Sequence, residues 1–380
     1  MKWMVGLDEL DLVQRRAIDT IVSDPTTNHW VKGFAGSGKT IVLTHVLKRL
    51  LAEQKTLKVC FATYTHALAG MVGSGLTARE AKQIEITTLT SVKKLRGTYD
   101  VIIVDEMQDI SKQQLEAIFK KTTNLVIAAD HDQRIYRFSV KEAELAKAIK
   151  PVKNHQLRNI HRINKPVFEV ATTIFRDAHF DSRGIPGDDY EKIRVYTGSS
   201  LKDEFETIYD EAVRISGPGQ PSAILFPSNA DMTQFMQTIA DKNKWGTVPA
   251  IRQDEEMADP FRQANDFFAR KGSPLLLYGS TSGQLPSSDK KKVVYLMTFF
   301  NAKGLEFPYV FLPKLTATAK ISPMGGASEE ESRRLFFVAA TRAKDRLHLS
   351  YHGDPHPFIE EIEDSNDDVL EPLSKKRRNY

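Results

Sequence analysis

The segment Gly33–Thr40, with the sequence GFAGSGKT, constrains the fold more than any other part of this chain. It follows an apolar run, His29–Gly33, that predicts a strand, and it leads into the helical pattern Thr40–Ala52. The spacing G-x-x-x-x-G-K-[ST] between a strand and a helix is typical of a loop whose backbone N–H groups surround phosphates. Glycines let such a loop curl, and the helix N-terminus adds the positive end of its dipole. The segment therefore predicts a nucleotide site.

The residues of this loop have expected roles in holding ATP and Mg²⁺. Lys39 should reach the β- and γ-phosphates, and the Thr40 hydroxyl should ligate the magnesium ion. The residues expected to hold the nucleotide here are Gly33, Gly36, Ser37, Gly38, Lys39 and Thr40.

A second acidic segment completes the predicted catalytic site. The buried-strand run Val101–Val104 ends in Asp105-Glu-Met-Gln-Asp109. A carboxylate at the carboxyl end of a parallel strand lies in the crevice where ligands bind. We therefore expect Asp105 to hold magnesium, directly or through water, and Glu106 to orient or deprotonate the attacking water.

The order of apolar runs predicts the fold class. Short strands alternate with helical stretches, which implies mostly parallel sheets covered by helices on both faces. The pattern weakens near Pro151, where a second α/β unit begins. We predict an N-terminal domain at residues 1–150, a second domain at 151–352 and a tail at 353–380. The stretch Lys271–Lys292, rich in Gly, Ser, Pro and Lys, is predicted to be a loop.

Composition narrows the class of protein. Of the 380 residues 41% are hydrophobic and 27% charged, with a net charge of +4, which is compatible with a phosphate-backbone partner. No apolar run is long enough to span a bilayer, and the N-terminus has no signal-peptide core, so no membrane partner is expected. The single cysteine, Cys60, lies in an apolar run and is expected to be buried. These features point to the cytoplasm.

The loop at Gly33–Thr40 and the Asp105–Asp109 segment together resemble superfamily 1 helicases of the UvrD/Rep-like branch. Further segments that resemble the motifs of this family follow in the same order along nearly the whole chain. The resemblance implies two RecA-like P-loop NTPase domains with ATP in the cleft between them. Leu10-Asp-Leu-Val-Gln14 resembles the adenine-reading motif, with Gln14 as the base contact.

Residues further along the chain complete the nucleotide site by resemblance. In Leu157–Arg162, Arg162 would contact the γ-phosphate and His161 would pack on adenine. Thr298–Phe307 resembles the T-x-H-x-x-K-G-L-E-F motif, which implies a nucleotide role for Gly304 and a ribose contact for Glu306. The two other residues implied by resemblance are Gln133 as a γ-phosphate sensor and Arg342 as the second γ-phosphate arginine.

The same resemblance implies contacts with single-stranded nucleic acid. Aromatic side chains would stack on bases without reading sequence, and short polar turns would touch the strand. The residues concerned are Tyr64, Thr65, Thr90, Ser91, Tyr136 and Phe138.

The chain departs from the family in its length. Only a few residues separate Ser91 from Tyr99, where UvrD-like helicases carry a long accessory insertion, and only the Lys271–Lys292 loop stands in the place of the other. Phe300 and Asn301 replace the family's histidine and lysine. Because neither insertion has room in this sequence, we expect a chain that translocates on or senses nucleic acid but unwinds duplex poorly alone.

Three functions follow. The first is an ATP-dependent translocase or helicase acting on single-stranded DNA, with 3′-to-5′ polarity implied by resemblance. The second is an ATPase subunit that senses nucleic acid and switches a protein partner, such as a nuclease in DNA repair or anti-phage defence. Its docking surfaces would be the Lys271–Lys292 loop and the C-terminal tail. The third, an RNA-directed motor, stays open because none of these motifs reads the 2′-hydroxyl.

Overall fold

The computed structural model describes residues 4–130, 134–135, 138–161, 163–175, 190–251, 259–279, 285, 288–322 and 328–373. Within these ranges the chain forms two α/β units, each built on one sheet. No helix in the described ranges is both long and apolar enough to cross a membrane.

The first unit is a six-stranded sheet in the order β3-β2-β4-β5-β1-β6, with every adjacent pair parallel. Its strands and helices are α1 (Leu12–Ser23), β1 (Asn28–Gly33), α2 (Lys39–Glu53), β2 (Val59–Thr63), α3 (His66–Ser74), α4 (Ala78–Ala81), β3 (Glu85–Thr88), β4 (Val101–Val104), α5 (Lys112–Phe119), β5 (Leu125–Ala129), α6 (Glu142–Ala148) and β6 (Val152–Leu157).

The second unit is a seven-stranded sheet in the order β13-β7-β12-β11-β8-β10-β9, also parallel throughout. Its elements are α7 (Lys165–Ile174), β7 (Ile193–Gly198), α8 (Leu201–Ile215), β8 (Ser222–Phe226), α9 (Asn229–Lys242), α10 (Arg262–Arg270), β9 (Leu275–Leu277), β10 (Val294–Thr298), β11 (Phe307–Leu312), α11 (Glu329–Ala340), β12 (Ala343–His352), α12 (Pro357–Asn366) and β13 (Leu370–Pro372).

Alternating side chains explain why both faces of the first sheet are covered. Along β2, Phe61 points to the core shared with α1 and α2, whereas Cys60 points to the core shared with α5. Cys60 is fully buried, as expected from its apolar run, and burial raises the pKa of its thiol to about 12. The predicted fold class, two α/β units with mostly parallel sheets and flanking helices, is confirmed.

The predicted boundary at residue 150 is wrong. β6 pairs with β1 along its whole length, from Asn28↔Val152 to Gly33↔Leu157, so the first sheet extends to Leu157. Its sequence, VKNHQL, is polar and is exposed at three of its six positions, because β6 is an edge strand. An edge strand needs only one neighbour and few apolar residues, which hid it from the search for apolar runs.

The predicted tail is also partly wrong. Within it, α12 buries Phe358, Ile359 and Ile362 against α7, and β13 pairs with β7. The many acidic residues of this segment obscured its one apolar helix face. Residues 374–380 lie outside the described ranges.

The predicted loop Lys271–Lys292 contains a strand. β9 lies at the edge of the second sheet, where Leu275 is opposite Val294 of β10. Three leucines among Gly, Ser and Pro give too short a run to predict a strand from periodicity. Residues 280–284 and 286–287 of this segment lie outside the described ranges.

Candidate nucleotide and nucleic-acid site

The loop after β1 has the geometry that its sequence predicts. Gly36 and Gly38 have φ values of 81° and 82°, in the left-handed region that favours glycine. A Cβ atom at Gly38 would lie 2.6 Å from Nε2 of Gln14, so a larger residue would displace Gln14. The loop therefore needs glycine for backbone conformation and for space.

Lys39 lies inside this loop. Its ammonium group donates to the carbonyl oxygens of Gly33 at 2.8 Å and Phe34 at 3.1 Å, and it lies 3.7 Å from a carboxylate oxygen of Asp130. The hydroxyl of Ser37 is buried and has no hydrogen-bond partner among the described residues. A half-buried cation bound by carbonyl oxygens and an unsatisfied buried hydroxyl both suit a phosphate group, so the loop fits a nucleotide.

The proposed magnesium ligands face each other. The Thr40 hydroxyl donates to Oδ2 of Asp105 at 2.7 Å, and the backbone N–H of Glu106 donates to Oδ1 of Asp105 at 3.0 Å. Burial, reinforced by the neighbouring Glu106 carboxylate, raises the pKa of Asp105 above its ordinary value. A bound cation would favour the ionised carboxylate, and the hydroxyl–carboxylate pair matches the oxygen ligands that Mg²⁺ prefers.

Glu106 is held in a constrained conformation beside this pair. Its φ of 58° lies in the left-handed region, which is costly for a residue with a side chain. Gln108 donates to Oε2 of Glu106 and accepts from the N–H of Asp130 at 3.1 Å, so its amide orientation is determined. The glutamine of this segment thus orients Glu106.

The charge state of Glu106 depends on the second unit. Burial alone would raise the pKa of this carboxyl. The positive charges of Lys303, Lys39 and Arg342 outweigh that effect and hold its pKa below the ordinary value. Glu106 is therefore an ionised carboxylate, as a group that accepts a proton from water must be.

Lys303 connects the two sheets at this point. It follows β10, is 2% exposed, and its ammonium donates to Oδ2 of the fully buried Asp109. The same nitrogen lies 4.0 Å from Oε2 of Glu106. Sequence reasoning missed Lys303, Asp109 and Asp130 as site residues. Two features of the sequence could have indicated them: Lys303 stands next to Gly304 of a predicted motif, and the two aspartates lie close after predicted strands.

Arg342 is buried between α11, which ends at Ala340, and β12, which begins at Ala343. Its guanidinium donates to the carbonyl oxygens of Val338 at 2.7 Å and Leu305 at 3.4 Å, and to the Thr341 hydroxyl at 3.1 Å. Its positive charge is among those that lower the pKa of Glu106, and its γ-phosphate contact stays a prediction. The predicted Gln133, Arg162 and Tyr136 lie outside the described residues.

Gly304 and Glu306 both lie just before β11, which begins at Phe307. Gly304 has φ of 75°, and a Cβ atom there would lie 2.5 Å from Leu68 of α3. Gly304 therefore permits close packing of the two units, and Glu306 follows two residues later. Their nucleotide roles stay predictions.

Gln14 and His161 lie beside the phosphate loop. Gln14 is 3% exposed; its Nε2 donates to the carbonyl of Ser37 at 3.0 Å, and its Oε1 accepts from the N–H of Asp11 at the same distance. His161 donates its backbone N–H to the Gly36 carbonyl at 3.0 Å, and its Nε2 lies 2.9 Å from Asp11. In this structure Gln14 supports the loop, and its adenine contact stays a prediction.

The predicted strand-contacting segments lie side by side. β2 and β3 are neighbours at one edge of the first sheet, so the residues after them share that edge. Thr65 caps α3 by accepting from the N–H of Leu68 at 3.2 Å. The hydroxyl of Thr88 lies 3.0 Å from that of Thr90 and 3.1 Å from that of Ser91. β4 and β5 separate this polar edge from the loop after β1.

The two described aromatics differ in exposure. Tyr64 is half-buried and packs against the core that contains Cys60 and Trp30. Phe138 is 56% exposed, which excludes a role as a core residue. An exposed ring can stack on a base, so Phe138 is the stronger of the two candidates for stacking.

A cavity of about 990 Å³ opens at the carboxyl ends of β8 and β10. Its lining includes Ser228, Asn229, Thr298, Phe300, Lys314 and Lys320. Lys314 has φ of 62°, and its backbone N–H donates to the buried carboxylate of Glu204 at 2.6 Å. Sequence reasoning missed this cavity, because strand ends far apart in the chain create it.

Two models of known protein families match parts of this chain. The family model for the UvrD-like helicase C-terminal domain matches residues 280–354, and an AAA domain model matches residues 9–186. The chain is similar to the ATP-dependent DNA helicase PcrA of Bacillus subtilis (strain 168), with 38% identity over 101 residues, covering 24% of this chain and 14% of that protein.

It is also similar to DNA helicase II of Escherichia coli (strain K12), with 40% identity over 73 residues, covering 18% of this chain and 10% of that protein. The matches thus span only a small part of these relatives. Among solved structures, the complex of Arterivirus nonstructural protein 10 (helicase) with DNA has a TM-score of 0.46 and 16% identity, covering 91% of this chain and 64% of that one.

Proposed function

We propose, since this chain belongs to the UvrD/Rep-like branch of the superfamily 1 helicases, that it hydrolyses ATP to move along single-stranded DNA. The observation that carries the proposal is that charged side chains from both units surround one carboxylate. Glu106 follows β4 of the first sheet, and the charges of Lys303 and Arg342 of the second sheet act on it. A nucleotide between the sheets would therefore contact both.

The hydrolysis step is assigned to residues of the first sheet. The ammonium of Lys39 would leave the loop carbonyls to contact the β- and γ-phosphates. Thr40 and Asp105 would hold Mg²⁺, which supplies charge neutralisation for the phosphates. Glu106 would accept a proton from the attacking water at Oε1 or Oε2, while Gln108 keeps its side chain in place.

Coupling between the sheets is assigned to the cations of the second sheet. Arg342 would gain a phosphate partner when ATP binds and lose it after hydrolysis. Lys303 pairs with Asp109 beside the catalytic carboxylate, so any movement of the second sheet changes the charge around Glu106. Each hydrolysis cycle would thus alternate the cleft between two arrangements.

The path of the bound nucleic-acid strand is assigned to two surfaces of the protein. On the first sheet it comprises Tyr64, Thr65, Thr90, Ser91 and Phe138. On the second sheet, the cavity with Lys314, Lys320 and Phe300 offers cations and an aromatic ring. Cations and stacking surfaces hold single strands without reading sequence, so binding should tolerate any sequence and weaken with salt.

Polarity from 3′ to 5′ and weak unwinding by the isolated chain are also part of the proposal. The connection from β3 to β4 holds only one short 3₁₀ turn, Val92–Lys94, which supports the lack of an accessory domain there. A strand-displacement assay on a 3′-tailed duplex tests this expectation. Efficient unwinding by the protein alone would contradict it.

The decisive experiment measures ATP turnover without nucleic acid and with single-stranded DNA of increasing length, with Lys39→Ala as the control. Turnover that rises with DNA length and is lost in the variant would support the motor. A parallel series with RNA decides the preference between nucleic acids. Turnover that is the same with and without either polymer would refute the motor, and it would favour the ATPase subunit that switches a partner.

A further inference from the structure

Phe34 lies in the phosphate-binding loop, yet its ring packs into the core of the second unit. The ring centroid lies 5.5 Å from that of Phe337 in α11 and 6.0 Å from that of Phe168 in α7, both at nearly perpendicular angles. The next residue, Ala35, is buried in the same core. The loop that should hold the phosphates is thus attached to the opposite sheet by an aromatic side chain.

The backbone of Phe34 faces the phosphate-binding lysine. Its carbonyl oxygen accepts from Nζ of Lys39 at 3.1 Å and from the N–H of Ser37 at 3.1 Å. A phosphate group bound by Lys39 would compete for the same ammonium protons. Nucleotide binding would therefore change the hydrogen bonds of the residue whose ring contacts the second unit.

A series of contacts leads from the Phe34 ring to Arg342. The carbonyl oxygen of Phe337 accepts from the N–H of Thr341 at 3.0 Å and from its hydroxyl at 2.9 Å. The Thr341 hydroxyl in turn accepts from the guanidinium of Arg342 at 3.1 Å. Thr341 and Arg342 are 1% and 2% exposed, and close-packed interiors of this kind transmit displacements.

We propose that Phe34 is a positioning residue that sets Arg342 relative to the phosphate loop. When the loop rearranges around a nucleotide, the Phe34 ring moves Phe337 and, through Thr341, the guanidinium of Arg342. This inference rests on the proposed ATPase function. It adds a contact between the Phe34 ring of the phosphate loop and the second unit. Through this contact, a nucleotide bound in the loop would also change the second unit.

The test compares catalysis with nucleotide affinity. Phe34→Leu keeps an apolar side chain but removes the ring contacts with Phe168 and Phe337. We expect the kcat for ATP to fall between about tenfold and 100-fold, since a misplacement of about 1 Å can cost that much. The affinity for a fluorescent ADP analogue should stay within about threefold, because ADP lacks the γ-phosphate that Arg342 would contact.

A double-variant cycle identifies the route. Phe337→Leu should lower kcat by a similar factor, and the double variant should be no slower than the slower single variant, as expected for residues acting as one unit. The matched control is Phe175→Leu. It removes a different aromatic neighbour of Phe337, whose centroid lies 5.7 Å away. Its kcat should stay within about threefold of the unchanged chain.

Three outcomes would overturn the inference. The first is equal loss of kcat and ADP affinity in Phe34→Leu, which would mean that the ring only supports the loop. The second is multiplication of the two single effects in the double variant. The third is an equal effect of Phe175→Leu, which would mean general loss of packing. If the unchanged chain shows no turnover above Lys39→Ala, the proposed function itself fails, and this inference fails with it.

Discussion

The hydroxyl of Thr40 donates a 2.7 Å hydrogen bond to Oδ2 of Asp105, although 65 positions separate the two residues in the chain. Thr40 lies in the first turn of α2 and Asp105 follows β4, so the sheet brings together the two predicted magnesium ligands. This pair joins the loop after β1 to the carboxylates for which we propose a catalytic role.

Thr40→Val should remove a magnesium ligand and keep the shape of the side chain. We expect the kcat for ATP to fall by on the order of 10²-fold, with a higher magnesium concentration needed for half-maximal turnover, because the metal supplies several kcal/mol of charge stabilisation. Turnover measured across a magnesium titration checks this. Thr44→Val, one helical turn later, is the matched control, since the Thr44 hydroxyl donates to the Thr40 carbonyl oxygen and not to Asp105. An equal loss in both variants would argue against metal ligation.

Lys303→Met should destabilise the protein. It leaves the buried carboxylate of Asp109 without its ion-pair partner, which typically costs about 3–5 kcal/mol of unfolding free energy. Urea denaturation measures the change. Adding Asp109→Asn should recover part of it, because the remaining buried group would then be neutral.

The control for this prediction is Lys202→Met in the exposed pair with Glu206. That pair has a separation of 3.9 Å and a lysine side chain that is 73% exposed. Its loss should cost under about 1 kcal/mol. Equal losses of unfolding free energy in the two variants would show that the ion pair of Lys303 stabilises the protein no more than an exposed pair does.

Phe138→Ala should weaken binding of single-stranded DNA without changing ADP affinity. Loss of one stacked base costs about 1–3 kcal/mol, which is roughly a 5- to 150-fold weaker Kd. Fluorescence anisotropy with labelled oligonucleotides measures it. The matched control is Phe119→Ala, which removes another exposed ring, 38% exposed, at the end of α5. Unchanged DNA affinity in Phe138→Ala would remove this residue from the strand path.

The first unit should lose stability in acid because of two histidines. Nδ1 of His29 lies 2.9 Å from Nε2 of His155. Burial lowers the pKa of His29, and burial together with the charges of His29 and Lys153 lowers the pKa of His155 to about 4. The folded state therefore favours the neutral rings. The two histidines contribute their full share to the stability of the fold above the ordinary histidine pKa, and this contribution is lost as pH falls from about 6.5 towards 4.

Urea denaturation at pH 7 and pH 5 tests this expectation. The unchanged chain should be less stable at pH 5, and His155→Gln, which keeps a polar group near the position of Nε2, should lose less stability between the two values. The nearby Asp24 and Lys153 are present in both proteins, so their contributions cancel. An identical pH dependence in the two proteins would contradict this role for the histidine pair.

The predictions from sequence were most accurate where the signal was local. Val101–Val104 was predicted with its observed bounds, because a strand buried on both faces reads as a continuous apolar run. The phosphate loop was equally clear, since its glycines and its lysine must stand at fixed spacing. Thr40 and Asp105 could be paired in advance because each lies at the end of its own element.

Other features depended on tertiary structure alone. β6 and β13 are edge strands whose pairing with β1 and β7 has no apolar signature of its own. The ion pair of Lys303 with Asp109 spans 194 positions, and nothing in either local sequence names its partner. The physical reason is the same in each case: backbone conformation and burial follow from nearby residues, whereas a side chain's partner follows from how separate elements pack. The position of Phe34 shows both, because its motif predicted the loop, but only the packed second sheet determined where its ring lies.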